Sequence, residues 1–112
     1  MVVVAFLEDL LFLSRIQSAL PMAAVRRIGR VDDLRGAKPD LVVLDLDSQR
    51  VDSLGALAAL REDPALLGAR TIGFFSHVHP ERARAASEAG CQKIVPRSAL
   101  LAELARIGTE PQ

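Results

Sequence analysis

The fold of this chain is decided by the stretch PDLVVLDL, residues 39–46. Its centre, 41–44, is a continuous run of Leu and Val, which is typical of a strand buried on both faces of a parallel sheet. Asp45 ends this run with a carboxylate. Ligands of open α/β sheets bind beyond the carboxyl ends of the strands, so Asp45 stands where a functional group is expected.

Apolar runs of the same kind recur on both sides of this stretch. They predict further strands at 2–7, 23–28, 71–75 and 93–95. Helices are predicted to begin at Asp9, at Asp52 or Ser53, and at Pro80, with a last one capped by Ser98. Only about one helical turn fits between 31 and 36. Strands that alternate with crossover helices indicate a parallel sheet covered on both faces.

The buried faces of the predicted helices follow from the spacing of their apolar residues. Leu13, Ile16 and Leu20 lie three and four residues apart, which predicts one apolar stripe on the first helix. The helix that begins at Pro80 offers only alanine to the core, and the last helix offers leucine and isoleucine.

Length, charge and cysteine content limit the classes of protein that fit. The 112 residues suit one domain, predicted over 1–107 with a flexible tail at 108–112. Acidic and basic residues balance at 14 each, which argues against a nucleic-acid binder. No apolar run reaches the roughly 18 residues that a membrane helix needs, and no basic segment suggests a signal peptide. The single cysteine, Cys91, excludes an internal disulfide and suits a reducing cytoplasm.

Acidic side chains follow two strands that are expected to be neighbours. Glu8 and Asp9 come after the first strand, and Asp45 ends the third. Mg²⁺ prefers oxygen ligands of this kind, and a carboxylate can also act as a nucleophile toward phosphorus. Ser76 and Arg97, after the fourth and fifth strands, would supply a hydroxyl and a cation. The alternative is that these residues only cap helices, since strand-to-helix turns favour Asp and Ser.

The stretch at 39–46 resembles the third-strand motif of bacterial response-regulator receiver domains. Glu8-Asp9 resembles the acidic pair of that family, Ser76 matches its Ser/Thr after the fourth strand, and Arg97 falls where it carries a lysine. The residues EAGC at 88–91 resemble its small-residue stretch before the fifth strand. The resemblance covers about residues 2–107. It implies a flavodoxin-like, doubly wound α/β fold with five parallel strands in the order 2-1-3-4-5 and a shortened second helix.

The same resemblance implies a function and a set of roles. Asp45 would accept a phosphoryl group, Ser76 would contact it and Arg97 would neutralise its charge. Mg²⁺ would be held by Glu8, Asp9, Asp45 and the backbone carbonyl of Asp47. A histidine kinase or phosphotransfer protein would act upstream and an unknown protein target downstream, in the cytoplasm, without nucleic acid or membrane. The chain would be a signalling domain, not an enzyme, and the sequence leaves a homodimer open.

Departures from the family pattern keep a second interpretation open. Gln49 stands where the family has a proline, Ile94 takes its aromatic switch position, and Ser98 follows Arg97 in place of another proline. His77 follows Ser76 where a small residue is usual, and it would crowd the site or tune it with pH. These residues favour a pseudo-receiver, which keeps the fold and binds proteins without being phosphorylated. A small-molecule enzyme on a flavodoxin-like fold is a third hypothesis, although no Gly-rich cofactor loop follows the first strand.

Overall fold

The computed structural model of the chain describes residues 1–76 and 79–110. It contains one sheet, in which the strands follow the order β2-β1-β3-β4-β5 and every neighbouring pair is parallel. The strands are β1 (Val2–Phe6), β2 (Ala24–Ile28), β3 (Leu41–Asp45), β4 (Arg70–Phe75) and β5 (Lys93–Pro96). This is the doubly wound, flavodoxin-like α/β topology that the sequence predicts.

Helices connect the strands and cover both faces of the sheet. They are α1 (Leu10–Ala19), α2 (Leu34–Ala37), α3 (Ser53–Glu62), α4 (Pro80–Glu88) and α5 (Arg97–Gly108). The second helix is only four residues long and follows a short 3₁₀ turn at Val31–Asp33, as the brief segment before β3 predicts. Within the described ranges, no helix is long and apolar enough to cross a membrane.

Alternate residues of β3 enter two separate cores, because successive side chains of a strand point to opposite faces. Leu41 and Val43 pack with the inner faces of α1 and α5, whereas Val42 and Leu44 pack under α2, α3 and α4. All four side chains are at most 1% exposed. The central strand is therefore fixed on both faces, and the position of Asp45 at its end is fixed with it.

The register of the sheet brings the ends of β1 and β3 side by side. Phe6 pairs with Leu44, and Asp45 pairs with Phe74 of β4. The segments after β1, β3 and β4 thus emerge at the same edge, where the sequence places its candidate functional residues.

Two helices differ in detail from their predicted form. On α1 the buried residues are Phe12 and Ile16, with Leu20 as the C-cap, while Leu13 is only partly buried. The structure thus confirms Ile16 and Leu20 of the predicted stripe, whereas Phe12 takes the buried place predicted for Leu13. Helix α5 begins at Arg97 rather than after a Ser98 cap, because extended Pro96 (φ −66°, ψ 150°) ends β5 and stands at the N-cap without a side-chain hydrogen bond.

The end of α5 makes contacts within the segment predicted to be a tail. The helix runs through Gly108, and Glu110 pairs with Arg70 at 2.9 Å and with Arg106 at 3.0 Å. Residues 111 and 112 lie outside the described ranges. The flexible tail over 108–112 stays a prediction.

Packing of α5 against the sheet is expected to supply much of the stability. Leu104 is fully buried, so Leu104→Ala should lower the free energy of unfolding by about 2–5 kcal/mol through lost burial and a cavity. Leu11→Ala is the matched control, since this leucine is 83% exposed on α1 and its truncation should cost less than about 0.5 kcal/mol. Urea unfolding followed by far-UV circular dichroism measures both, because the chain has no Trp or Tyr. Equal losses would contradict the described packing.

Candidate functional site

Asp45 lies half-buried at the carboxyl end of β3, and the loop that follows holds one of its carboxylate oxygens. The N–H groups of Asp47 and Ser48 donate to Asp45 Oδ1 at 3.0 and 3.2 Å. The Ser48 hydroxyl in turn accepts from the N–H groups of Arg50 and Val51 at 3.1 and 3.3 Å. Short Asp and Ser side chains favour such bonds to nearby backbone. The loop therefore orients the carboxylate.

Ser53 fixes the start of α3 to the same strand end. Its hydroxyl donates to the carbonyl oxygen of Asp45 at 2.6 Å, and its side chain is buried. Asp52 caps the helix by accepting from the Gly55 N–H at 2.9 Å. Between them, these two contacts hold the β3–α3 connection at both of its ends.

The surroundings of Asp45 make ionisation of its carboxyl less favourable than in water. Burial raises the pKa of this carboxyl above its ordinary value, and the charge of Asp47 adds to that effect. The two backbone N–H bonds and the charge of Arg97 act in the opposite direction on the pKa, but burial dominates. The two N–H bonds and the charge of Arg97 therefore offset only part of the effect of burial on this carboxylate.

Asp9 caps α1 and is neutralised by Arg97. Its Oδ1 accepts from the Phe12 N–H at 3.0 Å, and its Oδ2 accepts from Arg97 Nη2 at 2.8 Å. The hydrogen bond from Arg97 lowers the pKa of Asp9, and the backbone bond from Phe12 lowers it further. Asp9 thus caps α1, as the sequence predicts, and pairs with Arg97 through its other oxygen.

The Arg97 guanidinium also lies over an aromatic ring. Its central carbon is 3.8 Å from the centroid of Phe12 and 5.9 Å from that of Phe74. The two rings are themselves in contact, with centroids 5.2 Å apart. A planar guanidinium stacks on such rings in a way that an ammonium does not. The Arg97 side chain, at the start of α5, is therefore held in one position by Asp9 and Phe12 at the start of α1.

The remaining predicted site residues lie nearby but engage other partners. Glu8 points toward Arg50, with its Oε2 3.6 Å from Nε. Asp47 accepts the Ser76 N–H at its Oδ2, 2.5 Å away, and its carbonyl oxygen accepts from Arg82 Nη1 at 3.2 Å. Ser76 is thereby linked to the β3–α3 loop through its backbone.

The arrangement does not fit a ready-made divalent cation site. Mg²⁺ would need free oxygens from its expected ligands, yet Asp9 Oδ2 and the Asp47 carbonyl oxygen each carry a guanidinium, and Glu8 faces Arg50. In the part of the chain that the structure describes, no three His, Cys, Asp or Glu side chains group closely enough to hold a metal ion. The acids are oxygen ligands of the right kind, but arginine side chains rather than a metal ion pair with Glu8 and Asp9.

Several residues of the site were not foreseen from the sequence. Phe12, Arg50, Ser53 and Arg82 each contact a predicted site residue. A signal existed for Phe12, since 12, 16 and 20 also lie four residues apart, and for Ser53, which follows a helix cap. The arginines gave none, because surface arginines are common and their targets are distant in sequence. His77, predicted to crowd or tune the site, lies outside the described residues.

We expect Asp45→Asn to increase stability at neutral pH. Asparagine keeps the Oδ1 acceptor for the loop N–H groups and removes a charge whose burial raises the pKa of Asp45. A raised folded-state pKa means that the ionised form destabilises the native state above that pKa. The gain in unfolding free energy should therefore shrink as the pH falls toward the unfolded value of about 3.9. Urea titrations over a pH series measure it, and a loss of stability at pH 7 would contradict it.

We expect Asp9→Asn to lower the free energy of unfolding at neutral pH, in contrast to Asp45→Asn. Asparagine is also a good N-cap, so the change chiefly removes the charge that Arg97 pairs with. Because Arg97 lowers the pKa of Asp9, the ionised carboxylate stabilises the fold above its unfolded pKa, and that contribution is lost as the pH falls through the folded pKa. The variant should be less stable than the parent at pH 7, and the two should converge in acid. The same urea series tests this, and parity at pH 7 would count against the ion pair.

Comparison with solved structures identifies the fold independently of sequence similarity. A response regulator from Hahella chejuensis matches with a TM-score of 0.83 at 16% identity, over 96% of this chain and 92% of that one. The phosphorylated cyanobacterial phytochrome response regulator RcpA matches with a TM-score of 0.74 at 19% identity, over 96% and 87%. A response regulator from Burkholderia pseudomallei, solved with a phosphorylated aspartic acid, calcium ion and citrate, matches with a TM-score of 0.73 at 17% identity, over 92% and 65%.

No protein-family model matches the chain, and no curated protein matches it in sequence. The likeness therefore rests on the order and direction of the strands, the helices around them and the overlap of nearly the whole chain. Identities of this size show the fold alone. In fold, the chain resembles the receiver domains of response regulators.

Proposed function

We propose that this chain is a receiver-like signalling domain in which Asp45 accepts a phosphoryl group and the signal passes by protein contact. The observation that carries the proposal is the geometry of the carboxylate. Its Oδ1 is held by two backbone N–H groups, whereas none of the described residues donates a hydrogen bond to Oδ2. The loop thus positions the carboxylate through one oxygen, and we propose that the other oxygen attacks phosphorus.

The proposed transfer is a substitution at phosphorus. A bond forms from an Asp45 oxygen to phosphorus while the N–P bond of a donor phosphohistidine breaks. The donor ring, already protonated on its other nitrogen, leaves as neutral imidazole. Such transfers need charge neutralisation more than covalent help. Arg97 is the cation whose charge already acts on Asp45, and we propose that Ser76 contacts a phosphoryl oxygen. Mg²⁺ is the ion that the resemblance implies, and its contribution is part of the test below.

The proposed partners follow from the same function. A histidine kinase or phosphotransfer protein would donate the phosphoryl group, and a protein target would recognise the outer surface of α4, β5 and α5. The proposed location is the cytoplasm, and the proposed role is that of a signalling domain rather than an enzyme. The phosphorylated aspartic acid of the Burkholderia pseudomallei protein supports the analogy at the level of the fold.

A pseudo-receiver is the second candidate, and one observation favours it. Arg97 holds Asp9 Oδ2 at 2.8 Å, so the acid that would hold a cation is already paired. In this alternative the domain binds its partner constitutively and Asp45 is not phosphorylated. No contact in the described part of the chain favours the third hypothesis, a small-molecule enzyme.

Acetyl phosphate offers the direct test. We expect the intact mass of the protein to increase by one phosphoryl group in the presence of Mg²⁺, and less or not at all when EDTA replaces it. Asp45→Asn should abolish the gain because it removes the nucleophilic carboxylate, whereas Asp52→Asn, which alters the helix cap seven residues later, should retain it.

Two outcomes would redirect the assignment. Uptake that persists in Asp45→Asn would place the acceptor elsewhere. Absence of uptake by the folded parent protein, from acetyl phosphate and from histidine phosphotransfer proteins alike, would favour the pseudo-receiver.

A further inference from the structure

The residues that hold the Arg97 side chain, Asp9 and Phe12, both belong to the start of helix α1. Asp9 accepts the guanidinium at Oδ2 while its Oδ1 caps the Phe12 N–H, and the Phe12 ring lies under the same guanidinium. Phe12 is 3% exposed and therefore cannot turn away easily. The acid and the ring that hold Arg97 are thus fixed relative to each other by a single helix cap.

Arg97 donates to Asp9 Oδ2, an oxygen that a divalent cation at this site would need. The Asp9 carboxylate is the acid of the β1–α1 connection that pairs with Arg97, whereas its neighbour Glu8 pairs with Arg50. A guanidinium on Oδ2 both occupies that oxygen and places a positive charge beside the site. A divalent cation close to this guanidinium would be repelled, since like charges at such distances interact strongly in a partly buried setting.

We propose that Arg97 is an internal cation that competes with divalent metal ions for Asp9, so that a metal ion enters the Asp45 site only after the guanidinium leaves. This deepens the proposed function and rests on it for the role of the site. The competition itself is a property of metal binding and does not require phosphorylation.

Arg50 provides a matched comparison within the same site. It also pairs with an acid of the β1–α1 connection, but at 3.6 Å, with a side chain that is 79% exposed. Exposed pairs of this kind contribute little, because solvent screens them. Removal of Arg50 changes the net charge as much as removal of Arg97 does, without freeing Asp9.

The test is Mn²⁺ binding, measured on purified protein from the electron paramagnetic resonance signal of the free ion. Arg97→Met keeps an unbranched side chain over Phe12 and removes the charge. We expect it to lower the Kd for Mn²⁺ at least about tenfold, since both the blocked oxygen and the repulsion are removed. Arg50→Met should change the Kd less than about twofold. Adding Asp9→Asn to Arg97→Met should abolish the gain.

Arg97→Lys gives a second, milder variant, because lysine keeps the charge but loses the planar contact with the ring. It should bind Mn²⁺ with a Kd between those of the parent and Arg97→Met. Amide resonances of the β1–α1 and β3–α3 connections should broaden first as Mn²⁺ is added. Circular dichroism melts confirm that each variant is folded.

The outcomes separate clearly. Equal Mn²⁺ affinity in the parent, Arg97→Met and Arg97→Lys, whether tight or undetectable, would overturn the competition, and so would an equal gain in Arg50→Met. If Arg97→Met binds Mn²⁺ more tightly but acetyl phosphate still leaves Asp45 unmodified, the competition stands and the proposed phosphorylation fails. If Asp45 is phosphorylated while Arg97→Met leaves the Kd unchanged, the reverse holds.

Discussion

The parallel direction of all the strands is the constraint on which the rest of this structure depends. Parallel strands need crossover connections, and these return the chain to the start of each new strand across a face of the sheet. Every strand therefore ends at the same edge. Asp9, Asp45, Ser76 and Arg97 are far apart in sequence, yet each follows a strand and each reaches that edge. Strand β3 is buried between β1 and β4, and its burial fixes the position of its carboxyl end at this edge.

The strands and the starts of the helices could be predicted from the sequence because they depend on short, local patterns, whereas the strand order was implied by the resemblance. Continuous apolar runs mark doubly buried strands, and Asp52 and Pro80 mark the starts of α3 and α4. The resemblance at 39–46 supplied the family comparison that the solved structures bear out for the fold. Asp45 was placed correctly at the end of β3 because the run before it leaves no alternative strand end.

The direction of the polar side chains could not be predicted in the same way. Glu8 and Asp9 are adjacent in sequence, but they turn to arginines on different sides, and Arg97 reaches Asp9 from 88 residues away. The spacing of Leu13 and Ile16 suggested one helix face, whereas in the structure Phe12 is buried and Leu13 is only partly buried. These contacts depend on packing between residues that are far apart in sequence, so no local sequence pattern predicts them.

Asp47 joins three segments through two different groups. Its carboxylate accepts the N–H of Ser76 after β4, and its carbonyl oxygen accepts the guanidinium of Arg82 on α4. The loop that orients Asp45 is thus mechanically linked to a helix on the outside of the molecule. Because Arg82 lies in the first turn of α4, a change in the conformation of this loop bears on that turn through a single hydrogen bond. The start of α4 and the loop that orients Asp45 are therefore positioned together, although they belong to different connections of the sheet.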